Sequence, residues 1–374
     1  MRIVAVVFEG GTEPRGDLGL TLSRLRRAVV LDTLERLVGL RGLAEVVLAT
    51  NFPDLAAEAV RLGVRVHPTE RSFHFHRELA AAVAGSGAEG VVYLSGAAAP
   101  LLSEAEWRWV LEALSVLAPC VVVNNPQSAD LVAWAPADAL GRIPAQPRDN
   151  LLGYLLRHEA GLTRHLIPNS AAVHFDLDTP TDYLILAESG RAGPRARAAL
   201  EGIDWDRSRL RAAAAELQRD LAEVALIGRV GTAVVEYLNR YLRLRVRIFS
   251  EERGMKALGR EEEGLVRSFL AAALAELGPR RFFELLGEVV GAVFLDSRVF
   301  FAHGGRRVSE QDRFLSDLGR VGAIGDPWVR EFTAAALEAP VPVVLGGHSV
   351  VAGGLWVLAE QAVLVRGATG VTYR

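Results

Sequence analysis

Short apolar segments alternate with helix-forming segments along most of this 374-residue chain, and this alternation constrains the fold more than any other feature. Residues 3–8, 44–49 and 90–94 are rich in valine, leucine and alanine, and each is followed by a stretch with apolar side chains at helical spacing. Strands that are apolar on both faces and separated by helices are typical of parallel sheets covered on both sides. The first half of the chain is therefore predicted to be an α/β domain with a largely parallel sheet.

The composition is that of an ordinary globular protein and argues against several classes. Half of the residues are hydrophobic, 23% are charged, and the formal net charge is −3, which is unfavourable for electrostatic binding of nucleic acid. No uncharged apolar run reaches ~18 residues, no signal-peptide pattern precedes the first strand, and the single cysteine excludes an intramolecular disulfide. We expect a soluble, cytoplasmic protein with no nucleic-acid or membrane partner. A homo-oligomer is compatible with the sequence.

A cluster of helix-breaking residues divides the chain, whose length suits two domains. Residues 189–194 read Ser-Gly-Arg-Ala-Gly-Pro, and a second series of strands and helices begins near residue 225. We therefore predict a first domain over residues 1–190 and a second α/β domain over residues 205–374. In open α/β sheets ligands bind at the carboxyl ends of the strands, so the loops that follow strands are the candidate sites.

An acidic segment lies between a short apolar run and a helical pattern near residue 180. Asp176 and Asp178 alternate with apolar residues, so in an extended segment both carboxylates point to one side. Thr179 is predicted to be the N-cap of a helix that begins at Pro180, with Asp182 at the capping-box position. Two interpretations stay open: a divalent-cation site, because hard cations prefer oxygen ligands, or a helix cap with solvated acids.

The sequence Asp-Thr-Pro-Thr-Asp at residues 178–182 resembles the Asp-Thr-Pro-x-Asp signature of the MobA-like nucleotidyltransferase superfamily. The guanylyltransferases of deazaflavin cofactor synthesis are one branch of that group. The resemblance covers residues 1–190 and implies a GT-A-type Rossmann-like domain. It also implies transfer of a nucleotidyl group from a nucleoside triphosphate to a small phosphorylated acceptor. Magnesium would be handled by Asp176, Asp178 and Asp182, and Asp178 would be a catalytic residue.

The loop after the first strand carries Gly10, Gly11 and Arg15, and in position it resembles the superfamily's Gly-Gly-x-x-x-Arg phosphate loop. The resemblance implies that these three residues bind the triphosphate and that Arg15 also acts in catalysis. The alternative interpretation is a tight turn. Glu9 is unfavourable beside a triphosphate unless a metal or an arginine screens it, and the lysine that follows this loop in the superfamily is absent.

Two further strand ends are candidates for nucleotide contacts. Residues 94–103, which include Gly96, resemble the strand end where the superfamily places a metal-binding aspartate before a Pro-Leu pair, but residues 97–99 are alanines. Asn124 ends another predicted strand and is expected to hydrogen-bond a base or acceptor, unless it only builds a turn. The missing aspartate and lysine keep open a degenerate domain that binds a nucleotide or sugar without catalysis.

In the second half, where no family is recognised, four polar clusters follow predicted strands. Since parallel strands end along one edge, we expect these clusters to share a cleft for a phosphate or carboxylate. The alternative is four unrelated turns. A third hypothesis for the whole chain is an enzyme whose active site lies here. Arg229, Arg253 and Arg298 are expected to add bidentate contacts to the anion. Gly347 and Ser349 are further anion-binding candidates, and the catalytic candidates are Arg298, His303 and His348.

Overall fold

In the computed structural model, which describes residues 1–70, 73–126 and 128–368, the chain forms two α/β units. The first unit consists of Met1–Val173 and Ala192–Glu201. The second consists of His174–Arg191 and the described residues from Gly202 onward. The predicted fold class, a largely parallel α/β domain followed by a second α/β domain, is confirmed.

The secondary structure alternates along both units. The strands are β1 (Ile3–Phe8), β2 (Leu43–Thr50), β3 (Arg65–Pro68), β4 (Gly90–Ser95), β5 (Cys120–Val123), β6 (Leu131–Ala135), β7 (Thr163–Leu166), β8 (Glu223–Gly228), β9 (Arg245–Ser250), β10 (Ala292–Asp296) and β11 (Val343–Gly346). The helices are α1 (Gly16–Val38), α2 (Pro53–Arg61), α3 (Phe75–Val83), α4 (Glu104–Leu117), α5 (Leu152–His158), α6 (Ala171–His174), α7 (Pro180–Ser189), α8 (Pro194–Glu201), α9 (Ser208–Leu217), α10 (Thr232–Tyr241), α11 (Phe269–Leu277), α12 (Pro279–Val289), α13 (Ser297–Ala302), α14 (Glu310–Asp317), α15 (Pro327–Glu338) and α16 (Gly353–Ala368).

The first unit contains a seven-stranded sheet in the order β3-β2-β1-β4-β6-β5-β7. Strand β6 is antiparallel to both of its neighbours, and the other neighbouring pairs are parallel. The interior strand β1 is buried along nearly its whole length, as expected of a strand with helices on both faces of its sheet. The carboxyl ends of β1, β2 and β4 therefore lie together at one edge, where a ligand of such a sheet binds.

The second unit contains a four-stranded parallel sheet in the order β11-β10-β8-β9. Helices α11 and α12 are separated at Gly278, whose φ of 77° favours glycine and ends the first helix. The carboxyl ends of all four strands lie along one edge of this sheet. Each predicted polar cluster follows one of them.

The predicted boundary near residue 190 differs from the observed one, because helix α7 belongs to the second unit. Thr181 Oγ1 donates a hydrogen bond of 2.7 Å to the carbonyl oxygen of Leu345 at the end of β11. Gln361 in α16 donates to the carbonyl oxygen of Glu188 at 2.7 Å. Helix α7 is buried around most of its circumference, so it needs apolar partners on several sides. The acidic segment predicted for the first domain thus lies in the second unit.

The segment predicted as a linker contains helix α8, which belongs to the first unit. The buried carboxylate of Asp32 in α1 accepts hydrogen bonds from the backbone N–H groups of Arg195 and Ala196 at 3.1 and 2.9 Å. These bonds satisfy amides at the beginning of α8 that have no partner within the helix. Among the described residues, no helix is both long and apolar enough to cross a membrane.

Candidate functional site

The side chain of one asparagine anchors the loop between β1 and α1 by hydrogen bonds. Asn51, which follows β2, accepts a hydrogen bond from the backbone N–H of Gly11 at 2.9 Å and donates one to the carbonyl oxygen of Gly11 at 2.8 Å. A Cβ at Gly10 would lie 2.6 Å from Asn51 Oδ1, and Gly11 has a φ of 150°. The φ of Gly11 favours glycine, and a side chain at position 10 would displace the Asn51 amide from Gly11.

Arg15 lies between this glycine loop and the amino terminus of the 23-residue helix α1. Its side chain is exposed, and within the described part of the chain it forms no ion pair or hydrogen bond. The free backbone N–H groups at the beginning of a helix favour an anion. Gly10, Gly11 and Arg15 thus lie together at the carboxyl edge of the sheet, where the sequence predicted a phosphate loop.

Glu9, which precedes the glycine loop, is buried in an ion pair with Arg26. Both of its carboxylate oxygens accept a hydrogen bond from Arg26 Nε at 2.8 Å, and the residue is only 4% exposed. Burial raises the pKa of the Glu9 carboxyl, and Arg26 opposes that shift. Arg26 therefore neutralises the acid that precedes the phosphate loop. Because its positive charge is paired with Glu9, Arg26 is not a free cation for a phosphate.

Gly96, predicted to contact nucleotide, has a structural role instead. Its backbone N–H donates to the carbonyl oxygen of Phe8 at 2.8 Å, and a Cβ there would lie 2.1 Å from Glu9 Oε2. The alanines at positions 97–99 are 3–4% exposed, so this strand end is a packed turn. A glycine is needed at position 96 because the buried Glu9 side chain occupies the adjacent space.

The side chain of Asn124, the other predicted nucleotide contact in the first unit, forms hydrogen bonds with the backbone. Its Nδ2 donates to the carbonyl oxygen of Val173 at 3.3 Å, and its Oδ1 accepts from the N–H of Leu131 at 3.2 Å. The side chain joins the end of β5 to the beginning of β6 and to α6. These contacts agree with the alternative interpretation of the sequence, in which Asn124 builds a turn.

The predicted helix cap at the acidic segment is present, and it uses Asp182. Helix α7 begins at Pro180 after the N-cap Thr179. Asp182 Oδ2 accepts hydrogen bonds from the N–H groups of Asp178 and Thr179 at 3.0 and 2.7 Å and from Thr179 Oγ1 at 2.9 Å. Burial, with a smaller contribution from Asp178, raises the pKa of Asp182 to about 8. A fully buried capping carboxyl that holds its proton is unsuited to bind magnesium.

Asp176 and Asp178 remain as carboxylates outside the cap. Asp178 is exposed, and its side chain forms no hydrogen bond or ion pair within the described residues, whereas Asp176 is half-buried and has a partner. Nowhere in the described ranges do three histidine, cysteine, aspartate or glutamate side chains form a group that could hold a metal ion. These two carboxylates fit magnesium only if a substrate's phosphates and water supply the other ligands.

A buried ion-pair network, formed by Arg229, Asp296, Arg298 and Asp317, occupies the carboxyl ends of β8 and β10. Arg229 donates from Nε and Nη2 to Asp296 at 2.6 and 3.1 Å. Arg298 donates from Nη1 and Nη2 to Asp317 at 2.7 and 2.5 Å. The Arg298 and Arg229 side chains are only 5% and 11% exposed. Both guanidinium groups are therefore neutralised by the protein, and their predicted roles in catalysis and anion binding are not supported by these contacts.

His348 borders this network at the end of β11. Its ring is half-buried. Burial lowers the pKa of His348 to about 4, Arg229 and Arg253 add to that shift, and Asp296 and Asp178 oppose it. The structure thus places His348, Arg229 and Asp296 within electrostatic range of one another. The imidazole is neutral at pH 7, so one ring nitrogen keeps a lone pair that can accept a proton.

Three other predicted residues of the second unit have packing or capping contacts. Gly347 lies against the acidic segment, where an added Cβ would be 2.7 Å from Thr179 Cγ2. Ser349 Oγ accepts a hydrogen bond from the N–H of Gly354 at 3.1 Å. His303 Nδ1 accepts one from the N–H of Ser268 at 3.0 Å. The single shared cleft expected from the sequence is therefore reduced to His348 and its charged neighbours.

The structure gives Asn51 a role that the sequence did not assign to it, and Arg253 remains one of the arginines expected to contact an anion. Asn51 organises the glycine loop, and the only sequence signal was its position directly after β2. Arg253 follows β9 in one of the four polar clusters, and it acts electrostatically on both His174 and His348. Position after a strand is the signal that both residues share.

No protein-family model matches the chain, and no curated protein matches it in sequence. Solved structures of nucleotidyltransferases are similar to about half of it. One is CMP-2-keto-3-deoxy-manno-octonic acid synthetase in complex with CTP, at 15% identity and a TM-score of 0.38, covering 54% of this chain and 100% of that one. Another is a cytidylyltransferase from Leptospira borgpetersenii, at 17% identity and a TM-score of 0.38, covering 54% and 92%.

A third similar structure is that of Rv0371c from Mycobacterium tuberculosis in complex with manganese, at 20% identity and a TM-score of 0.35, covering 54% of this chain and 100% of that one. At these identities and TM-scores the similarity assigns no residue a role, and the roles of individual residues rest on the contacts of this chain.

Proposed function

We propose that the first unit binds the phosphates of a nucleoside triphosphate at the β1–α1 loop, and that the protein is a nucleotidyltransferase acting on a small phosphorylated acceptor. The observation that supports this most is the loop itself. Asn51 holds Gly11 from both sides at the edge of the sheet, and the unpaired Arg15 lies beside the first turn of α1. Backbone N–H groups and an arginine are the donors that a triphosphate requires.

Magnesium enters this proposal as the counter-ion of the nucleotide. When bound, it would neutralise phosphate charge and polarise the phosphorus that the acceptor attacks. Asp176 and Asp178 are separate candidates, in the second unit, to hold a magnesium ion, and Asp182 is excluded by its burial and its capping contacts. Because both carboxylates belong to the second unit, nucleotide binding and metal binding are tested separately.

A second candidate function is nucleotide binding without transfer. The strand end at positions 97–99 presents buried alanines where the superfamily has a metal-binding aspartate, and the charge of Arg26 is already used by Glu9. The first unit would then act as a sensor or scaffold. Release of pyrophosphate distinguishes the two functions, because only transfer cleaves the triphosphate.

Calorimetric titration with ATP, GTP, CTP and UTP, each with and without magnesium, tests nucleotide binding. We expect at least one nucleotide to bind saturably and Arg15→Gln to weaken it about tenfold, the effect of losing one charge-assisted contact. Arg41→Gln is the matched control, since Arg41 is also exposed and lies in the turn between α1 and β2. Absence of saturable binding by all four, or equal weakening by both variants, would overturn the proposal.

A further inference from the structure

A cavity of about 440 Å³ opens where helix α5 leads into strand β7 in the first unit. The described residues that line it are Arg157, His158, Leu162, Thr163 and Arg164. Three of these side chains are basic, and none of them is acidic. A cavity of this volume can hold a small molecule, and its lining favours a negatively charged one.

The turn between α5 and β7 is fixed by backbone hydrogen bonds and by buried leucines. The N–H of Ala160 donates to the carbonyl oxygen of Leu155 at 3.2 Å, and the N–H of Leu162 donates to that of Leu156 at 3.1 Å. Gly161, with a φ of 72°, allows the chain to leave the helix. Leu156 and Leu162 belong to the apolar core beneath the sheet. The cavity is therefore built on an ordered scaffold.

The two guanidinium groups at the cavity have no counter-charge. Neither Arg157 nor Arg164 forms an ion pair or a hydrogen bond with any described residue, and Glu159, the adjacent acid, pairs with neither. Arg157 is exposed and Arg164 is half-buried. Burial lowers the pKa of Arg164, and the charge of Arg157 adds to that shift. Because the two cations repel each other, an anion that pairs with both is favoured.

The histidine at the cavity is oriented by an aromatic neighbour. The ring of His158 packs against that of Tyr154, one helical turn earlier, with a centroid distance of 4.3 Å and an interplanar angle of 35°. His158 is exposed, and even a neutral imidazole carries one N–H donor. Thr163, which is also exposed, adds a hydroxyl group to the lining. The cavity thus combines two guanidinium groups with further hydrogen-bond donors.

This cavity and the glycine loop lie at opposite edges of the seven-stranded sheet. Strands β4 and β5 are both antiparallel to β6, β4 is parallel to β1, and β5 is parallel to β7. Strand β7 therefore runs in the same direction as β1. Thr163 and Arg164 begin β7, whereas Gly10 and Gly11 follow the end of β1. A ligand in the cavity would consequently occupy a second site, separate from the one proposed for the nucleotide.

We propose that Arg157, His158 and Arg164 bind the phosphate group of a small phosphorylated metabolite in this cavity. Each guanidinium offers paired N–H donors that match phosphate oxygens. A phosphate monoester carries about −1.5 to −2 charge at neutral pH, which balances two arginines, whereas a single carboxylate balances one. The site does not depend on nucleotide binding at the glycine loop.

The test follows the imidazole signal of His158 in the full-length protein with ¹⁵N-labelled histidine, and the His158→Gln spectrum identifies that signal. Inorganic phosphate and glucose 6-phosphate are titrated separately at constant pH and ionic strength, with a chelator and no divalent metal. We expect both compounds to shift the signal saturably. Arg157→Gln and Arg164→Gln should each raise the dissociation constant about tenfold, as for one lost charge-assisted contact.

Arg41→Gln is the matched control. Arg41 is an exposed cation in the turn before β2, at the same edge of the sheet, and it does not line the cavity. Its substitution should leave binding unchanged. The proposal is overturned if neither compound shifts the His158 signal saturably, or if both cavity variants bind as the wild type does. Equal weakening by Arg41→Gln would show general electrostatic attraction and would also overturn it. A response to inorganic phosphate alone would assign the cavity to the free ion and exclude the metabolite.

Discussion

Arg229 and Asp296 form a two-point ion pair across the neighbouring parallel strands β8 and β10, and Asp296 has no solvent exposure. The same carboxylate accepts the N–H of Arg298 at 3.2 Å. Burial by itself raises the pKa of Asp296, but Arg229 holds it below its ordinary value. Because an unpaired buried charge costs several kcal/mol, each partner depends on the other, and the pair is a structural feature of the second unit.

Removing one partner of this pair should strongly destabilise the second unit. Arg229→Met leaves Asp296 buried without its counter-charge, so we expect the free energy of unfolding to fall by about 3–5 kcal/mol. Urea denaturation measures it. The control is Arg280→Gln, which breaks an exposed ion pair with Glu338 and should cost no more than about 1 kcal/mol. Equal effects of the two substitutions would show that the buried pair contributes no special stability.

The buried cap residue Asp182 should make stability depend on pH in an unusual direction. Its pKa rises from an ordinary 3.8 to about 8 on folding, so between these values the folded chain holds a proton that the unfolded chain releases. Stability from this group is complete below about pH 4 and declines as the pH rises towards 8, by up to about 1.4 kcal/mol per pH unit.

Asp182→Asn tests this dependence, because asparagine keeps a carbonyl oxygen for the capping N–H groups and does not titrate. Urea denaturation of both proteins at several pH values between 4 and 8 gives the comparison. We expect the difference in unfolding free energy, wild type minus variant, to decrease as the pH rises. A difference that stays constant across this range would show that Asp182 is ionised in the folded protein.

The contribution of His348 to stability should depend on pH in the opposite direction. Its pKa falls from an ordinary 6.5 to about 4 on folding, so the folded chain binds fewer protons in this interval. The stability that it contributes is present above about pH 6.5 and is lost as the pH falls towards 4. Imidazole NMR signals should show a neutral ring at pH 5.5, and Arg253→Gln should raise the pKa. An ordinary titration midpoint in the wild type would show that the surroundings of His348 do not lower its pKa.

A side chain at Gly353 should destabilise the fold because the backbone at His174, next to the acidic segment, packs directly against this glycine. A Cβ at this position would lie 2.0 Å from the carbonyl oxygen of His174, so Gly353→Ala forces backbone to move and should cost about 1–3 kcal/mol in urea denaturation. Gly367 is the matched control in the same helix, since a Cβ there meets nothing within 4 Å. Gly367→Ala should leave stability unchanged or raise it by up to about 1 kcal/mol.

The local features of this chain could be predicted from the sequence because they depend on neighbouring residues. The alternation of apolar and amphipathic segments predicts the parallel strands and their helices, since burial on both faces requires it. The cap of α7 follows from Thr179, Pro180 and Asp182 alone, because all of its hydrogen bonds lie within five residues. The position of the glycine loop after β1 has the same local origin.

Tertiary structure alone decided which polar residues are available for chemistry. The sequence shows Arg229, Arg253 and Arg298 as equivalent arginines after strands, yet two of them are paired with acids 67 and 19 positions away, and only Arg253 is left without a counter-charge. Likewise, Asp176 and Asp178 lie in the second unit because α7 is apolar on several sides and packs beside β11 and α16. Such outcomes depend on pairing and burial between distant segments, and single-sequence periodicity carries no information about them.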